Sequence, residues 1–107
     1  MNIENTVAQM RKGILELCIL AILKKGESYP SEILESLRNT ELIVVEGTLY
    51  PLLTRLKNFE LLSYRWEEST GGPPRKYYSI TSKGEDVLLD LKTSWTSLSD
   101  SVNNLLK

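Results

Sequence analysis

A chain of 107 residues with 13 basic and 14 acidic side chains, a net charge of −1 and 41% hydrophobic residues is sized for one soluble domain with a single modest core. It contains no histidine and one cysteine, which removes the commonest general base, any thiol–imidazole pair and any internal disulfide. Its acids fall singly or as surface neighbours such as Glu67–Glu68 and Glu85–Asp86, and zinc-type spacing is absent. No Lys-Ser/Thr follows Gly71-Gly72 into a helix, as a phosphate loop requires. The expectation is a non-enzyme without metal or cofactor. No apolar run reaches the roughly 18 residues that a membrane helix needs. Glu4 stands where a secretory leader would be basic, and Cys18 reads as a core residue in a reducing compartment. The expected location is cytoplasmic, with no membrane partner.

Residues 3–25 read as one helix. Val7, Met10, Ile14, Leu17 and Ala21 make one apolar stripe, and Leu15, Ile19, Ile22 and Leu23 make a second. Between residues 14 and 23 the helix is apolar nearly all round, which calls for covering from two sides, the domain's own core and a partner chain. Lys24-Lys25-Gly26 supplies a basic last turn and a stop. In "ESYPSEILESLRNT" (27–40), Pro30 suits a first helical turn, and Ile33, Leu34 and Leu37 form the apolar face. The run "ELIVV" (41–45) stays open between loop and strand. A third helix follows in "EGTLYPLLTRLKNFELL", with its start placed at 47 or 48 because Pro51 belongs near a first turn. Leu49, Leu52, Leu53 and Leu56 share one face; Thr48, Pro51, Arg55 and Asn58 share the other.

The stretches 61–69 and 75–81 alternate with a period of two, the pattern of strands. Leu62, Tyr64 and Trp66 fall on one side, and Trp66 is read as covering the sheet. Between the strands, Gly71-Gly72-Pro73-Pro74 supplies a stiff hairpin tip. Thr81 or Ser82 caps a last helix, with Glu85 placed as in a capping box. In that helix Leu88, Leu91, Trp95, Leu98, Val102 and Leu105 recur as a heptad seam, the pattern of a dimer interface.

Three compact helices and a hairpin make an α+β plan, mainly helical with a small antiparallel hairpin: a winged helix–turn–helix over residues 1–81, followed by a dimerisation helix over 82–107. In such a plan the third helix enters the DNA major groove and the wing meets a neighbouring backbone or the minor groove. Residues 46–83 hold six bases and four acids, so the reading side is locally positive in an acidic chain. Arg75 and Lys76 stand at the base of the wing, facing phosphate.

The same residues resemble the PadR family of bacterial transcriptional regulators, in its small branch with one C-terminal helix. "EGTLYPLLTRLKNFELL" and "GGPPRKYYSITSKG" carry the likeness, and "MRKGILELCILAIL" extends it to the first helix. The resemblance implies a homodimeric winged-helix repressor on an inverted-repeat operator in double-stranded DNA. It places Thr48, Tyr50 and Pro51 at the start of the recognition helix and Arg75 and Lys76 in the wing. The preceding helix of the family opens aromatic–Gly–aromatic–acid; here "YPSE" matches at Tyr29 and Glu32, with Ser31 in place of the second aromatic.

Plainer roles stand beside these. Tyr50 is either a DNA contact or partly buried core, and Arg55 either holds a phosphate or pairs with Glu46 or Glu60. Of Tyr77 and Tyr78, one belongs to the core. A multidrug-sensing member of the family carries a tryptophan in a similar Ser-Trp context on its last helix and binds planar drugs between subunits. By that likeness Trp95, with Ser99, Val7, Met10 and Ile14, would line a slot for a small aromatic effector, unless Trp95 is ordinary interface core. Asp100 falls five residues after Trp95, turned away from such a slot. The alternative function is a winged-helix adaptor that binds protein and not DNA.

Overall fold

The computed structural model describes residues 1–42 and 44–107. The elements run α1 (Ile3–Lys12), α2 (Leu15–Lys25), α3 (Pro30–Arg38), α4 (Glu46–Asn58), β1 (Leu62–Glu67), β2 (Arg75–Ile80) and α5 (Ser82–Leu106). The fold is α+β, a winged helix with an antiparallel hairpin, as the order of elements predicts. Among the described residues no helix is long and apolar enough to cross a membrane.

The stretch expected as one helix over residues 3–25 is two. Gly13 is a poor helix former, and there the Ile14 N–H turns back to the Arg11 carbonyl at 3.1 Å, a tighter bond than the helical one. The break lets α2 bury Leu15, Ile19, Leu20 and Leu23 while α1 buries nothing. The start of α4 also differs from the expected 47 or 48. It begins at Glu46, where the Val45 carbonyl accepts from Thr48 N–H and Leu49 N–H, and Pro51 lies inside the helix. The missing proline N–H leaves the Gly47 carbonyl without its helical donor on an exposed turn. Of the 41–45 run, Glu41 and Leu42 form a turn and Ile43 lies outside the described residues.

The core is a leucine-rich cluster: Ile19, Leu20 and Leu23 from α2, Ile33 and Leu37 from α3, Leu49, Leu53 and Leu56 from α4, closed by Leu61, Leu62 and Tyr78. Each such side chain contributes roughly 1.5–3 kcal/mol by leaving water. The end of α4 is a Schellman turn, with Leu61 N–H to the Leu56 carbonyl at 3.0 Å and Glu60 N–H to the Lys57 carbonyl at 2.9 Å. Glu60 holds the left-handed position at φ 64° that glycine usually fills.

Thr81 then anchors α5. Its hydroxyl donates to the Glu60 carbonyl at 2.7 Å and accepts from Gly84 N–H at 3.0 Å. The expected capping box is not formed, because Gly84 occupies the third helical position; Glu85 instead bonds Lys24 at 2.9 Å. The seam of α5 divides. Leu88 and Leu91 pack on the protomer's own core, while Leu98, Val102 and Leu105 are 63%, 51% and 85% exposed. The far half of α5 projects outward, and the radius of gyration is 15.5 Å against about 13 Å for a compact chain of this length.

Candidate nucleic-acid interface

The hairpin pairs Leu62 with Ile80, Tyr64 with Tyr78, Trp66 with Lys76 and Glu67 with Arg75. Ser28, just before α3, adds a bridge to Tyr78, with bonds of 3.0 and 2.8 Å. That bridge ties the start of α3 to the wing. Tyr29 caps α3: its N–H donates to the Glu32 carboxylate at 3.1 Å, and its carbonyl accepts from Glu32 N–H at 2.9 Å. Glu32, matched by the family pattern, is thus a capping acid here.

From that cap an aromatic ladder crosses to the wing. Tyr29 meets Tyr77 edge-on at 4.9 Å. The Arg75 guanidinium lies 4.8 Å over the Tyr29 ring and that of Arg65 lies 4.8 Å over Tyr77. Arg65 is also clasped by Glu27, at 3.1 and 2.6 Å, and by Glu67 at 2.9 Å. The bonds from Arg65 hold the Glu27 carboxyl below the usual carboxylate range, so this clasp persists at neutral pH and is lost as pH falls through that lowered value. Burial raises the Tyr78 phenol and makes it the core member of the tyrosine pair, whereas Tyr77 is half-buried.

On the other face of the hairpin, Lys76 Nζ sits 4.3 Å from the Tyr64 ring centre and 5.2 Å from that of Trp66, and Lys57 Nζ lies 5.4 Å from Tyr64. Aromatic rings hold these ammonium groups without neutralising them, each contact contributing roughly 0.5–1 kcal/mol at an exposed site. Among the described residues Arg75, Lys76 and Lys57 have no acidic partner within 4.0 Å, while Lys24, Arg38 and Arg55 each have one and Arg65 has two.

Between wing and α4 lies a cleft of about 450 Å³, walled by Tyr29, Tyr50 and Thr54 on one side and by Trp66, Arg75 and Lys76 on the other. The structure therefore brings Tyr29, Tyr50, Arg75 and Lys76 together. Tyr50 is 47% exposed, so its role as core is excluded in the protomer. Thr48 and Pro51 are exposed on α4 but do not line the cleft. Arg55 goes elsewhere: it pairs with Glu16 of α2 and lies 5.4 Å over the Phe59 ring. Neither Glu46 nor Glu60 is its partner.

Arg55 instead lines a second groove of about 340 Å³ with Ile14, Glu16, Phe59, Leu91 and Trp95. Ile14 and Trp95 share this groove as expected for a slot, but Val7, Met10 and Ser99 are not part of its lining within one protomer. Ser94 stands there instead of Ser99.

Sequence reasoning missed Trp66 and Thr54 as cleft residues, and Lys57 as a cation held beside the Tyr64 ring. The signal was the fading of burial along one strand face: Leu62 is buried, Tyr64 half-buried and Trp66 exposed. A hairpin that projects past the core carries its inner face out into solvent.

The compact helices α2, α3 and α4, a strand bridge and a hairpin with free cations facing α4 define a winged helix–turn–helix. The Transcriptional regulator PadR-like family model matches residues 19–90. The chain is 58% identical to a PadR-like transcription factor structure from Bacteroides fragilis, covering 94% of this chain and 98% of that one with a TM-score of 0.79. It is 33% identical to a PadR family transcriptional regulator from Eggerthella lenta, covering 98% and 92% with a TM-score of 0.89. A PadR-like transcriptional regulator from Bacillus cereus is 43% identical over 92% of this chain and 97% of that one, with a TM-score of 0.81. The chain belongs to the PadR-like family of transcriptional regulators.

Proposed function

We propose that the chain is a homodimeric repressor that reads an inverted-repeat operator, with residues 1–81 as the reading module and 82–107 as the association helix. One observation carries this reading: Arg75 and Lys76 keep unpaired charge on the wing, across the cleft from Tyr50 on α4. In this arrangement α4 lies in the major groove with Thr48, Tyr50 and Pro51 toward DNA, and the wing cations hold phosphates. Tyr29 acts through the ring that supports Arg75. Phosphate contact by Arg55 requires release from Glu16, so Arg55 ranks behind the wing pair. Heparin chromatography at low salt checks the reading quickly: a DNA binder is retained and a protein-binding adaptor flows through.

The dimer reading is supported by the apolar surface that one protomer leaves wet. On α5, Trp95, Leu98, Val102 and Leu105 are all exposed, and α1 adds Ile3 and Met10 at 65% and 70%. Because Leu91 packs on the protomer's own core, the clean disruption is Leu98→Asp with Val102→Asp. That variant is expected to elute as a folded monomer where the parent scatters light as a dimer. A parent monomer at micromolar concentration, or an unchanged dimer in the variant, would refute the α5 seam.

The second groove supports release by an effector as part of this reading. Its lining includes Arg55 and Leu56 from the C-terminal half of the reading helix and its cap residue Phe59, so an aromatic molecule beside Trp95 would press directly on α4. In Trp66→Phe protein a planar aromatic dye is expected to quench Trp95 saturably. An absence of quenching across a broad panel of such dyes would leave Trp95 as interface core.

A further inference from the structure

Trp66 is the aromatic residue of the wing region that its neighbours do not cover. Tyr29, Tyr64 and Tyr77 are half-buried and Tyr78 is buried, yet the Trp66 indole is 61% exposed. An indole that merely covered a sheet would have its face against apolar side chains. This one forms the wing-side wall of the cleft opposite Tyr50 and Thr54, and it also borders Pro73 and Pro74 at the tip. Its position is well fixed: Tyr64 meets it edge-on at 6.2 Å, and its cross-strand partner Lys76 places Nζ 5.2 Å from the ring. The ring and an unpaired cation therefore face the same way, a combination complementary to a strand of DNA, in which apolar sugar faces alternate with phosphates.

We infer that Trp66 is a DNA-contacting residue of the wing, packing its indole against a sugar or base face of the duplex beside the phosphate held by Lys76. The inference rests on the DNA-binding reading above and adds to it a contact of a different physical kind. A cation on a phosphate releases counterions and steepens the salt dependence of binding. A stacked indole releases none and stabilises the complex equally at all salt concentrations. Trp66 would thus supply affinity that survives high salt, where the wing cations contribute least.

Two measurements test this on the 107-residue chain, using a duplex taken from immediately upstream of its own reading frame and a random duplex. Trp66→Ala is expected to weaken binding about tenfold or more with no change in the slope of log K against log salt. Trp66→Tyr should recover most of that loss, and because the indole is largely exposed, with Tyr64 and Lys76 as its ring neighbours, both variants should stay folded and melt within a few degrees of the parent. In Trp95→Phe protein, where Trp66 is the remaining indole, adding the duplex is expected to quench its emission and protect it from acrylamide. Parent-like affinity of Trp66→Ala, or a Trp66 as open to acrylamide in the complex as in free protein, would overturn the proposal while leaving DNA binding intact. If the parent chain binds neither duplex at low salt, the DNA-binding reading fails and this inference fails with it.

Discussion

Replacing Arg75 and Lys76 together by alanine is expected to weaken operator binding by at least about a hundredfold near 0.1 M salt. Neither side chain has an acidic partner among the described residues, so neither spends its charge inside the protein. In a dimer the double substitution removes four cations from phosphate. Each lost contact lowers the slope of log K against log salt by about 0.9, so the slope should flatten by roughly 3–4. Arg38→Ala is the control. That guanidinium is engaged by Glu35 at 3.2 Å on the outer surface of α3, so its loss should change affinity less than about threefold. A double variant with parent-like affinity and slope would remove the wing from the interface.

Gly84→Ala is expected to destabilise the fold by about 2–3 kcal/mol. A Cβ built there falls 2.8 Å from Ile80 Cγ1 and closer still to the Leu61 carbonyl oxygen, which is backbone and cannot swing aside. The Thr81 hydroxyl pins the same joint to the Glu60 carbonyl, so α5 cannot slide to make room without breaking its own cap. The melting temperature should fall on the order of 10–15 °C. The same change at Gly47 has the opposite sign. Nothing lies within 4 Å of a Cβ there and the residue sits in a helix, so Gly47→Ala should add about 0.5–1 kcal/mol. Equal melting temperatures for the two variants would contradict this account of the α4–β1–α5 joint.

Much of this joint was open to sequence reasoning, because its elements carry local signals. Alternation marked both strands, Gly-Gly-Pro-Pro marked the tip, and Thr81 marked the start of α5, each to within a residue or two. Where local signals conflicted, tertiary packing decided. Pro51 argued for a late start to α4, but the helix begins at Glu46 because Leu49 and Leu53 bury one face from the first turn onward. Gly13 lay inside a continuous apolar pattern, so the break that separates α1 from the core was hidden by periodicity. The heptad seam was read as one surface, although its first two leucines serve the protomer's own core and its remainder stays exposed.

The candidate site divides in the same way. Tyr29, Tyr50, Arg75 and Lys76 were legible, and the fold gathers them at one cleft. Which arginine is free was not legible, since Glu16 is 39 residues from Arg55 and Glu27 is 38 from Arg65 in the chain. Periodicity gives the face a residue occupies, but it cannot supply a partner that arrives from another helix. Trp66 was misjudged for a related reason. Its face was correct, and its distance from the core decided its exposure.

At the centre stands the proposed complex, two copies of this chain on one stretch of duplex DNA, held through α4 and the wing. Its most direct test is footprinting on the DNA upstream of its own reading frame, combined with light scattering of the complex. Two chains per duplex are expected, with two protected patches related by inverted symmetry, centred about 34 Å apart or a multiple of that, and lost as salt rises. One chain per duplex, or no protection at low salt from a folded dimer, would contradict it.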